Sequence, residues 1–112
     1  MLRVAALSLI LLTTWSLPAL AQQPQSHPSL NSQQLEGLRH FNQACRVCHT
    51  KPQLTSPQYA PVLNNGSLGG SEGAMKAYIA NGTQRMPGYR YHFKPSEIEA
   101  IVAYLKTLPP ID

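Results

Sequence analysis

Apolar positions recur at helical spacing in three stretches of the chain. Leu35, Leu38, Phe41 and Cys45 stand three and four residues apart and form one stripe over Ser32 to Cys45, with Gly37, Phe41 and Ala44 beside it. A shorter helix fits Ser71 to Asn81, where Ser71 can cap the start and Gly82 stands in the place of a left-handed terminating residue. The third pattern is the strongest. Ile98, Ile101, Val102, Leu105 and Leu108 follow a Ser96/Glu99 pair with capping-box spacing, and Pro109-Pro110 ends the run.

Between these stretches the periodicity is lost. Residues 50–70 hold Pro52, Pro57, Pro61, Gly66, Gly69 and Gly70, and residues 83–95 hold Pro87, Gly88 and Pro95. That is loop composition, with no alternating pattern of a strand. The expected class is all-α with long loops. Loops of this length in a small domain imply something inside that holds them.

The first residues follow another logic. Met1-Leu2-Arg3 is a short positive start, Val4 to Leu17 is mostly apolar, and Pro18-Ala19-Leu20-Ala21 offers a small-residue cleavage site. This order reads as a secretory signal peptide over 1–21. The alternative, a membrane anchor, needs about 20 apolar residues, more than this stretch provides. No later segment is apolar enough to span a bilayer. Residues 22–31, rich in Gln, Pro and Ser, read as a flexible lead-in, and 32–112 as the folded domain. The 112-residue chain carries a formal charge of +4, which falls by one when Arg3 leaves with the leader. So mild a balance, without basic runs interleaved with aromatics, argues against nucleic acid as a partner.

The chain has two cysteines, both in C-R-V-C-H at 45–49. A disulfide across two residues closes too small a loop to remove much unfolded-state entropy. A thioredoxin-like pair expects a βαβ setting. Zinc needs further ligands, and His27, His40 and His92 match no zinc spacing. C-x-x-C-H is the attachment signal for c-type haem. Its spacing is about one helical turn, which lets both sulfurs meet the two vinyl groups on one porphyrin edge while His49 reaches the iron. Such attachment takes place outside the cytoplasm, in keeping with the leader.

For the second axial position the chain offers two methionines beyond Met1. Met75 lies in a predicted helix at core spacing, so packing is its expected role. Met86 lies in N-G-T-Q-R-M-P-G-Y, and Pro87 biases it away from helix. His92 is the rival ligand.

Together these segments resemble the small monohaem class I c-type cytochromes, over about Leu35 to Leu108. C-R-V-C-H is the most specific match. A-P-V-L-N-N is similar to the family's proline loop, which implies that Pro61 accepts a hydrogen bond from the His49 ring. Ala60 stands where the family often has glycine, and Pro57 is the other proline in reach. Y-I-A-N-G-T-Q-R-M-P-G is similar to the segment that presents the methionine ligand, here Met86. P-S-E-I-E-A-I-V-A-Y-L resembles the closing helix, and Gly37 with Phe41 resembles the pair that packs against an aromatic of that helix, here Tyr104.

The resemblance implies the cytochrome c fold, three to four short helices and long loops around one covalent haem c. The implied cofactor-binding set is Cys45, Cys48, His49 and Met86, with His49 and Met86 on the iron. A centre with both axial positions filled moves electrons and has no open site for a substrate, so no catalytic residues are expected. The expected function is a periplasmic carrier of one electron. The alternatives are a cytochrome subunit of a periplasmic dehydrogenase or oxidase, and a haem enzyme or sensor with an open iron position. Arg39, Arg46, Lys51, Lys76, Arg85, Arg90 and Lys94 fall in two acid-free stretches flanking both ligands. They suggest a basic rim that steers the protein to redox partners with acidic docking patches. The molecule is expected to be a monomer or a subunit of such a complex.

Overall fold

The computed structural model describes residues 29–50 and 57–110. The leader, most of the lead-in and Lys51 lie outside the described residues. Helix α1 spans Ser32–His40 and runs through a π-helical turn, Phe41–Cys45, directly into the short α2, Arg46–His49. A 3₁₀ turn, Ser67–Gly70, precedes α3, Glu72–Asn81, and the last helix, α4, spans Pro95–Leu105. Among the described residues there is no strand, and no helix is long and apolar enough to cross a membrane.

Asn31 starts α1. Its Oδ1 accepts the Gln34 N–H at 2.9 Å, and the Gln34 side chain accepts the Asn31 N–H at 3.0 Å, a reciprocal cap. The first helical segment therefore begins as expected but ends at His49, four residues beyond Cys45. Its buried stripe also differs. Gly37, Phe41 and Cys45 are buried, whereas Leu35 is 44% exposed and Leu38 only half-buried. The reason is the packing of α1 on α4. A Cβ built on Gly37 would overlap the Ala100 carbonyl and stand 2.9 Å from Tyr104 Cβ. The closest approach falls on the glycine, and the stripe centres there rather than on the leucines. One turn on, the Phe41 ring packs on Tyr104 with centroids 5.4 Å apart, as the resemblance implied.

α3 matches its expected limits. Ser71 Oγ accepts the Ala74 N–H at 3.3 Å, and Gly82 follows at φ 72° with its N–H on the Tyr78 carbonyl. α4 departs from expectation at its start. Ser96 and Glu99 do not cap it. Pro95 already occupies the first helical position, and the Glu97 carboxylate accepts the Lys94 N–H at 2.7 Å. Proline lacks the N–H that would be orphaned there, so it fixes the boundary. The helix also stops at Leu105, and Leu108 closes a turn onto the Leu105 carbonyl.

The core consists of Phe41, Cys45, Met75, Ile79, Phe93, Ile98, Ala100, Ile101, Val102 and Leu105. Met75, 3% exposed, packs within this core. Phe93 enters from the loop before α4, stacked on Tyr89 and edge-on to His40. The Lys106 ammonium donates to the Asn65 and Gly70 carbonyls at 3.2 and 3.1 Å, fastening the 65–70 segment to the end of α4.

Gly37→Ala forces a methyl into backbone rather than into a side chain that can rotate away. It is expected to lower the stability of the holoprotein by about 2–3 kcal/mol, read from the denaturant midpoint at constant slope.

Candidate haem site

Cys45, Cys48 and His49 all line one cavity of about 360 Å³, and so does Met86. Ala44, Leu63, Met75, Ile79, Pro87 and Leu105 contribute to its mainly apolar wall. The sequence-derived set is thus gathered from two segments, the α2 turn and the loop after α3. His92 is exposed and is not part of the lining.

The π-helical turn presents the attachment motif. The Arg46 N–H bonds back to the Phe41 carbonyl, one residue further than in an α-helix. It carries Cys45 into the core, 7% exposed, while Cys48 and His49 remain half-buried at the cavity. His49 Nδ1 donates to the Pro61 carbonyl at 2.8 Å, which resolves the choice between Pro61 and Pro57. This bond fixes the tautomer and leaves Nε2 with its lone pair free.

The Met86 segment is pinned just as closely. The Thr83 N–H donates to the Met86 carbonyl at 2.8 Å, and Thr83 Oγ1 accepts the N–H groups of Arg85 and Met86, each at 3.2 Å. Beyond it, the Tyr89 and Arg90 N–H groups reach the Ile79 and Ala80 carbonyls at the end of α3. Gly82 makes this return possible. Its φ of 72° suits glycine, and a Cβ there would lie 2.5 Å from the Gly88 nitrogen.

Both thiols are free of each other. Burial pushes the Cys45 thiol up to about 11, and the neighbouring Cys48 adds to the effect. Capture as a thioether suits Cys45, because that form carries no charge into the apolar wall. Donor atoms of Cys45, Cys48 and His49 do not converge as a metal cluster; among the described residues Glu36, His40 and Glu97 do so, within 4.8 Å, and none of them lines the cavity. Burial, with Cys45 and Cys48 next, also raises Tyr89, whose hydroxyl donates to the Ala44 carbonyl at 3.3 Å.

The basic residues scatter in their engagements. Arg85 lines the cavity, Lys76 pairs with Glu99 at 3.5 Å, and Arg90 donates to Asn81.

A helical shell, an apolar cavity and a C-x-x-C-H turn with its imidazole oriented define a c-type cytochrome. Residues 32–105 match the family described as cytochrome c oxidase, cbb3-type, subunit III, and the chain belongs to this family. No curated protein matches the chain. The domain carries covalently bound haem c and is an electron-transfer domain that works with redox partners. The cavity fits that group: it is apolar, it is reached by both cysteines of the motif, and the one imidazole in its wall has a free nitrogen.

Thr83→Val keeps the shape of the side chain and deletes the acceptor of two amides. Hydrogen exchange at the Arg85 and Met86 amides is expected to quicken about tenfold, and Thr83→Ser to restore the slower rate.

Proposed function

We propose that the protein is a periplasmic carrier of one electron, with haem c held through Cys45 and Cys48 and its iron ligated by His49 and Met86. The observation that carries this reading is the hydrogen bond from His49 Nδ1 to the Pro61 carbonyl at the wall of a cavity that Met86 also lines. The bond makes the imidazole a stronger donor at Nε2 and holds its orientation. Met86 offers a neutral, soft thioether whose backbone is fixed by Thr83. The apolar wall excludes water and disfavours added charge. When bound, the haem supplies a one-electron iron couple whose potential is raised by thioether ligation and burial.

With both axial positions taken by side chains, the chain leaves no place for substrate. A haem enzyme or sensor with an open site is the weaker reading for that reason. Export rests on the leader at 1–21 and on the extracytoplasmic chemistry of the attachment motif. Partner docking rests on the basic residues already named, with Arg85 at the cavity itself. The family's description as an oxidase subunit favours a second reading, a cytochrome subunit of a larger oxidoreductase complex. Recovery of the exported protein in a stable assembly rather than free would select it.

The ferric holoprotein is expected to show the weak near-infrared band of sulfur–iron ligation, and the ferrous form to refuse carbon monoxide at neutral pH. Met86→Ala should abolish the band and admit carbon monoxide. Ready carbon monoxide binding by the unaltered protein would overturn the ligation by Met86.

A further inference from the structure

Tyr59 and Arg85 belong to the two loops that flank the cavity, and they grip each other. The Tyr59 hydroxyl donates to the Arg85 carbonyl at 3.3 Å, and the Arg85 Nη2 donates to the Tyr59 carbonyl at 3.2 Å. The guanidinium lies over the Tyr59 ring, 5.0 Å from its centre. Each side chain thus binds the other's backbone, and their faces stack. Both residues line the cavity, although Tyr59 is 58% exposed. Among the described residues Arg85 has no acidic partner; its contacts are a carbonyl and an aromatic face.

The position in the chain gives the pair its meaning. Tyr59 precedes by two residues the Pro61 that anchors His49, and Arg85 directly precedes Met86. The Pro61 loop has no regular secondary structure, and neither does the chain from Thr83 to Tyr89. Two irregular loops have many conformations to lose, and local opening is cheapest where backbone ties are few. A link between them at this point joins the histidine side of the site to the methionine side without passing through the core.

We propose that Tyr59 and Arg85 are positioning residues that form a clasp across the cavity, restraining the Met86 loop so that its thioether resists replacement by outside ligands. The inference rests on the reading of Met86 as an iron ligand. It gives Arg85 a role beside docking: one guanidinium nitrogen and the stacked face serve the clasp, and the rest of the exposed group stays open to a partner.

The experiment is a titration of ferric holoprotein with imidazole, following loss of the near-infrared sulfur–iron band. Tyr59→Ala and Arg85→Ala are each expected to lower the half-displacing imidazole concentration about tenfold, the scale of losing one exposed hydrogen bond together with the shared cation–π contact. The double variant should exceed either single one but fall short of the sum of the two, because the stacked contact is lost already in each single variant while each hydrogen bond is lost separately. Tyr59→Phe, which keeps the ring and loses the donor, should show a smaller shift of about threefold and serves if the alanine variants do not fold. Unchanged half-displacement in the variants, or fully additive effects, would overturn the clasp while leaving Met86 ligation standing. Absence of the band from the unaltered protein would overturn Met86 ligation, and the clasp with it.

Discussion

The contact between the Gly37 backbone and the Ala100 carbonyl governs the rest of the molecule. It brings α1 and α4 closer than any side chain at position 37 would allow and seats Phe41 on Tyr104. α1 continues through the π-helical turn into α2, so fixing its axis also fixes where Cys45, Cys48 and His49 arrive. α4 in turn contributes Ile98, Ile101, Val102 and Leu105 to the core that supports Met75 and Ile79 of α3. The end of α3 launches the Gly82 turn and hence the Met86 segment. Both halves of the site are therefore hung from one helix pair, although 37 and 86 are far apart in sequence.

A cavity in a domain this small removes side-chain atoms from the place where a core is usually densest. The remaining shell is thin, and polar groups beside the cavity must be neutral or bonded. The side chains obey this. Burial pushes Tyr89 toward its protonated form, its hydroxyl has the Ala44 carbonyl, His49 Nδ1 has the Pro61 carbonyl, and Cys45 as a thioether carries no charge. Covalent haem c supplies the missing interior. The described parts of the two long loops, through Tyr59, Pro61 and Leu63 on one and Thr83, Met86 and Pro87 on the other, form the part of the shell that closes over it.

The chemistry was legible because it is local. Two thiols and an imidazole at fixed spacing need no tertiary context, and neither do the Ser71 cap and the Gly82 terminator of α3. The Gly37, Phe41 and Tyr104 contact was reachable through the family resemblance, since it joins distant positions. What could not be read depends on competition between neighbours. Periodicity gave Leu35 and Leu38 the buried stripe, but the small side of the helix won because a close helix crossing favours glycine over leucine. The π-helical turn leaves no mark in the residue pattern; Phe41 and Cys45 keep a spacing that suits either winding. The cap of α4 was misplaced because two glutamates, 97 and 99, both lie near its start, and Pro95 settled which one served. The Tyr59 and Arg85 pair links residues with no motif between them, visible only once both loops are placed.

These tethers also bear on how an electron would move. A one-electron change is fast when the groups around the centre keep their places in both charge states, since little must then be rearranged at the moment of transfer. His49 is held at its ring by Pro61, the Met86 backbone by Thr83, and the two loops by each other through Tyr59 and Arg85. Each tie is a few partly exposed contacts at most, so none contributes much stability alone. Their value lies in acting on different degrees of freedom: ring orientation, turn geometry and loop separation. Here all three are restrained, and the arrangement favours a centre that changes charge while its surroundings stay still.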